Sequence, residues 1–66
     1  MYNKLLGIMR EQGKTQAEVA DAIGIGKATF NKKLKGHTDF SLENIKKLCS
    51  YLSIDKESVG EVFLIK

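Results

Sequence analysis

Four lysines, Lys27, Lys32, Lys33 and Lys35, fall within nine residues, and no acid interrupts the chain between Asp21 and Asp39. Thr29 and Asn31 lie among them and add one hydroxyl and one amide. Lysine donates to phosphate oxygens and to guanine O6 or N7, asparagine can pair bidentately with adenine, and a methyl such as that of Ala28 packs on the thymine methyl. Such a set is suited to holding an anionic surface rich in hydrogen-bonding edges. The net charge of +3 fits that use without requiring it. Its distribution says more, because residues 55–66 carry three acids against two lysines while the basic groups crowd residues 27–35. A basic run is more often a plain solvated helix face, so its surroundings decide.

Other chemistry is poorly supplied. One histidine, His37, serves every serine in the chain, and it falls in a loop-like stretch with no second His or Cys nearby. No catalytic constellation and no metal site follow, and neither an enzyme nor a cofactor is expected. Gly24-Ile25-Gly26 lacks the third glycine of a dinucleotide fingerprint, and Gly26-Lys27 is followed by Ala28 where a phosphate loop needs Ser or Thr. The single cysteine, Cys49, excludes an internal disulfide and falls on an apolar helix side, which predicts a buried structural thiol.

The elements that must position the basic run are legible from caps and periodicity. Thr15-Gln16-Ala17-Glu18 is a capping box, so a helix starts there, with Ala17, Val19, Ala20 and Ile23 on its apolar side. Gly24 stands where that helix would stop, and Gly26 can cap the next. Ile25 and Phe30 have the spacing of a hydrophobic staple. Two short helices thus meet at a tight turn, a helix-turn-helix. With Phe30 and Leu34 inward, a step of about 100° per residue places Ala28, Lys32 and Lys35 outward, flanked by Asn31 and Thr29, with Lys27 at the N-terminal end.

Around this pair the chain predicts three more helices. One runs from about Tyr2 or Asn3 to Gln12, with Tyr2, Leu5, Leu6 and Met9 as its stripe; Gly7 within it suggests a close contact, and Gly13 stops it. Another follows Ser41 as N-cap, stapled by Phe40 and Ile45, and carries Leu42, Ile45, Leu48, Cys49 and Leu52. The last follows Asp55, stapled by Ile54 and Val59, with Val62 and Phe63 at helical spacing. The expected fold is all-α, a compact five-helix domain spanning residues 1–66. With 66 residues, 42% hydrophobic and 29% charged, the chain supports one small core, and no apolar run reaches membrane-spanning length. No signal-peptide pattern opens the chain, so a cytoplasmic protein is expected.

Gln16, Ala20, Gly24, Ile25, Phe30 and the closing Lys33-Leu34-Lys35-Gly36 resemble the Cro-and-repressor family of lambda-repressor-like helix-turn-helix proteins, particularly small phage and prophage regulators. The likeness continues from Phe40 to Phe63 and covers nearly the whole chain. It implies a sequence-specific transcriptional regulator of repressor type. It further implies that Lys27, Ala28, Asn31 and Lys32 face base edges in the major groove of double-stranded DNA, with Gln16, Lys35 and the Gly36 backbone against phosphates. Thr29 and Lys33 join the phosphate set, Lys33 facing solvent or phosphate rather than a base. The chain departs from the pattern at Lys33, where many members carry an apolar residue; Leu34 takes over the packing role.

One recognition helix reads too few base pairs to select a single genomic site. A symmetric homodimer on an approximately palindromic site is therefore expected, with Phe63, Leu64 and Ile65 at the subunit contact. Related proteins place their two recognition helices about one DNA turn apart. A second reading is a protein-binding module, antirepressor- or antitoxin-like, that keeps the helix-turn-helix without binding DNA. The lysines on the outward face favour DNA.

Overall fold

In the computed structural model, which describes residues 2–63, five α-helices and one 3₁₀ turn follow one another with short connections, and no strand occurs among the described residues. They are α1 (Asn3–Glu11), α2 (Gln16–Ala22), α3 (Lys27–Leu34), α4 (Leu42–Leu52), the 3₁₀ turn Lys56–Ser58 and α5 (Val59–Phe63). The all-helical, helix-turn-helix architecture expected from the sequence is what forms. Helix α2 packs on α3 and α4, while α1 packs on α5.

The start and stop of α2 and α3 set the geometry of the pair. The Thr15 hydroxyl accepts from the Glu18 N–H at 3.1 Å, and the Glu18 carboxylate accepts from the Thr15 N–H at 3.2 Å. The capping box thus satisfies two backbone donors that no helical carbonyl reaches. At the other end the chain turns left-handed at Gly24, φ 77°. The Gly24 N–H then reaches the Asp21 carbonyl at 3.1 Å, and the Ile25 N–H reaches that of Ala20 at 3.0 Å. These two bonds are the Schellman closure, which is cheap only for a residue without a β-carbon. Ile25 is half-buried and Phe30 fully buried, as the staple that opens α3 requires.

Helix α4 has a second capping box that the sequence reading identified only at Ser41. The Ser41 hydroxyl accepts from the Asn44 N–H at 3.1 Å, and Asn44 Oδ1 accepts from the Ser41 N–H at 3.3 Å. Asn44 replaces the usual Glu or Gln and is 9% exposed, so its amide is buried with its partner in place. The same helix ends at Ser53 in the left-handed region, φ 57°, with the Ile54 N–H on the Cys49 carbonyl at 2.9 Å. It uses the geometry of Gly24 without glycine.

Leu5, Val19, Ile23, Phe30, Leu34, Leu48 and Leu52 are at most 2% exposed and form the centre of the core. Beside them Phe40 gathers three rings, those of Tyr2 at 5.1 Å, Phe63 at 5.8 Å and Phe30 at 5.9 Å between centroids. Edge-to-face contacts of this kind add to the area the rings bury. They join the start of α1, the middle of α3, the entry to α4 and the end of α5. The Tyr2 N–H also donates to the Leu34 carbonyl at 3.4 Å.

Several expectations are corrected. Ala17 is exposed because the core side of α2 runs through Val19, Ala20 and Ile23. Leu42, the first residue of α4, is 67% exposed, because the core side of that helix runs through Ile45, Leu48 and Leu52. Cys49 is half-buried rather than enclosed, and burial pushes its thiol pKa upward. Gly7 serves no close contact, since a β-carbon built there would meet nothing within 4 Å. Asp55 has the extended backbone of a cap, but its side chain makes no capping bond, and a 3₁₀ turn precedes α5. Phe63, expected at a subunit contact, is 4% exposed and committed to the core of its own chain through Phe40. Leu64 and Ile65 lie outside the described residues.

Candidate nucleic-acid interface

Helix α3 turns one side to the core and the other to solvent. Phe30 is fully buried and Leu34 is 2% exposed. Lys27, Ala28, Thr29, Lys32 and Lys35 are all exposed, as is Gly36 beyond the helix, while Asn31 and Lys33 are half-buried at its flanks. The rotation is therefore the one that Phe30 and Leu34 dictate. Lys33 occupies an edge because Leu34 supplies the packing there. Both ion pairs among the described residues, Lys4–Glu61 and Lys47–Glu43, lie away from α3, so its basic face is not neutralised by either.

The two ends of α3 are held differently. Gly26 caps the N-terminal end with extended backbone and no side chain, which leaves the first-turn N–H groups without a side-chain acceptor. Such a terminus carries partial positive charge and accommodates an anion. At the other end the His37 N–H reaches the Lys32 carbonyl at 3.0 Å and the Gly36 N–H reaches that of Lys33 at 3.1 Å. Gly36 stands at φ 86°, so the chain reverses there and leads into the loop before α4.

Two side-chain contacts at this face were not foreseen in the sequence. Asn31 Nδ2 donates to Gln16 Oε1 at 3.1 Å, tying the flank of α3 to the first residue of α2. Lys33 Nζ donates to the Asp39 carbonyl at 2.8 Å and pins the loop that enters α4. That bond takes one donor of Lys33, leaving it less available to a phosphate than Lys32 or Lys35. No local pattern announces either contact, since both depend on the spatial meeting of two elements. Of the site residues expected from the sequence, the structure therefore gathers Gln16, Lys27, Ala28, Thr29, Asn31, Lys32, Lys35 and Gly36 at or beside one exposed face. It sets Lys33 at the edge.

The scaffold behind that face is cross-braced. Gln12 Nε2 donates to the Leu52 carbonyl at 2.6 Å, and the Lys14 ammonium lies 5.1 Å from the centre of the Tyr51 ring. Both contacts fix the α1–α2 connection against the end of α4. An open cleft between α1 and the chain's last described turns is lined by Lys4, Gly7, Ile8, Glu11, Ser58, Glu61 and Val62. It mixes acids with apolar surface, unlike the α3 face. No group of three or more His, Cys, Asp or Glu placed to hold a metal occurs among the described residues. No helix among them is long and apolar enough to cross a membrane.

A family model of the Cro/C1-type HTH DNA-binding domain matches residues 4–61. No curated protein and no solved structure matches the chain. The matched span contains the capping box at Thr15, the turn at Gly24, the whole of α2, α3 and α4 and most of α1 and α5, and the chain belongs to the Cro/C1-type helix-turn-helix DNA-binding family.

Proposed function

We propose that residues 1–66 act as one non-enzymatic domain that binds double-stranded DNA in a sequence-specific way and regulates transcription, as a repressor of the phage or prophage type. Helix α3 enters the major groove. Lys27, Ala28, Asn31 and Lys32 meet base edges, and Gln16, Thr29, Lys35 and the Gly36 backbone meet phosphates, with Lys33 in a lesser role.

The observation that carries this reading is the exposed face of α3, where lysines, a hydroxyl, a methyl and an amide stand together without an acid. A helix fits the major groove, and these groups complement what the groove displays. Association as a homodimer on an approximate palindrome follows from how few base pairs one helix reads. Its half-site centres would stand about 10 bp apart.

Selection of bound sequences from a random DNA pool tests the reading. The expected product is one enriched motif with two-fold symmetry. Absence of enrichment at low salt, with specific retention on a protein instead, would assign the chain to protein binding.

A further inference from the structure

Resting on the major-groove reading above, we propose that Lys33 is a positioning residue rather than a DNA contact. It clamps the loop of residues 36–39 in the shape from which the Gly36 backbone meets a phosphate. That loop is exposed along its length, between the end of α3 and the buried ring of Phe40. Lys33 holds it at both ends. Its carbonyl accepts from the Gly36 N–H at 3.1 Å, and its ammonium donates to the Asp39 carbonyl at 2.8 Å. One residue thus brackets the reversal of the chain at Gly36, φ 86°.

The other lysines of the basic run, Lys27, Lys32 and Lys35, are exposed, whereas Lys33 is half-buried and reaches across the loop to a carbonyl six residues on. An ammonium on a carbonyl is a charge-assisted bond, stronger than a neutral pair. Among the described residues no backbone carbonyl takes the N–H of Thr38 or Asp39, so little besides Lys33 fixes the loop short of Phe40. A loop that is loose in the free protein has to be ordered on binding, and the entropy lost is subtracted from affinity. Held in advance, it meets the DNA backbone without that loss. A phosphate contact carries no sequence information, so the clamp acts on affinity and leaves base preference alone.

The experiment compares the full wild-type chain with Lys33→Met, Lys33→Gln, Lys33→Arg and Lys35→Ala, after melting curves show which variants fold. Methionine keeps an apolar stem without the ammonium, glutamine is too short to span the loop, and arginine keeps both reach and charge. In the free protein, NMR order parameters of residues 37–39 should fall in the Met and Gln variants and stay at the wild-type level in Arg. On a selected site, Met and Gln should weaken every sequence alike, by roughly fivefold per subunit. Their slope of log K against log salt should stay within about half a unit per subunit of the wild type, while Lys35→Ala loses about one. Lys33→Arg should restore affinity.

The proposal is overturned if Lys33→Met or Lys33→Gln flattens the salt slope as much as Lys35→Ala does, since Lys33 would then neutralise a phosphate itself. It is equally overturned if the loop stays ordered without the ammonium, if a loosened loop leaves affinity unchanged, or if Lys33→Arg fails to restore binding. Each of these results leaves DNA recognition by α3 standing. A folded wild type that binds no DNA at low salt would remove the DNA reading, and with it the use proposed for the clamp.

Discussion

Lys32 and Lys35 are both exposed on α3, yet their expected roles differ because Lys32 stands on the face opposite Phe30 and Leu34 while Lys35 caps the helix end beside Gly36. Replacing Lys32 with Ala should cost about 1–3 kcal/mol on the preferred site and relax preference at one base pair. Replacing Lys35 with Ala should weaken all sequences nearly uniformly. Titrations on the preferred site and its single-base variants check both, and a uniform loss from Lys32→Ala would move that residue to the phosphate set. A stability prediction belongs at the same scale. A methyl added at Gly7 meets no atom within 4 Å, and the residue lies inside α1. Gly7→Ala should therefore stabilise the fold by about 0.5–1 kcal/mol, read as a higher urea midpoint at unchanged slope. A lower midpoint would show that the glycine serves a contact after all.

At the scale of the element, two capping boxes start α2 and α4. Thr15→Ala and Ser41→Ala should each cost about 1 kcal/mol by denaturant unfolding, the usual effect of removing a cap hydroxyl. Ser53→Gly should raise stability, because a left-handed backbone at φ 57° is easier for glycine. These elements also show what the sequence carried. The Thr15–Glu18 spacing, Gly24 and the Ile25–Phe30 staple are local signals, each satisfied within a few residues, and each located its helix boundary. Phe30 and Leu34 gave the rotation of α3 because both are large, apolar and four apart. Asn44 was harder to read as a cap partner, since asparagine at that position is shorter than the usual glutamate. Leu42 and Ala17 misled because hydropathy does not say where a core ends. The Gln16–Asn31 and Lys33–Asp39 bonds were illegible, since no periodicity records which polar atoms meet across a turn.

For the whole molecule, a 66-residue chain has little stability to spare, and large core truncations should be felt globally. Phe30 has no exposed surface and touches Phe40, so Phe30→Ala should cost about 3–5 kcal/mol and depopulate the folded state in a thermal melt. Phe63 belongs to the same core, so its truncation should unfold the chain before it reports on pairing of subunits. Leu64 and Ile65, beyond the described residues, remain the proposed pairing contact. Replacing both with Ser should leave the melt unchanged while lowering affinity and cooperativity on a full site. Unfolding of the double variant, or unchanged binding, would contradict that assignment.

The central claim is that the basic face of α3 is the surface that meets DNA, and it is tested most directly by the salt dependence of binding. If the lysines and helix termini neutralise roughly six phosphates per dimer, log K should fall against log salt with a slope of about −5. In Lys35→Ala the slope should become shallower by about one per subunit. A slope near zero in the wild type, or a wild-type slope retained in Lys35→Ala, would contradict the account.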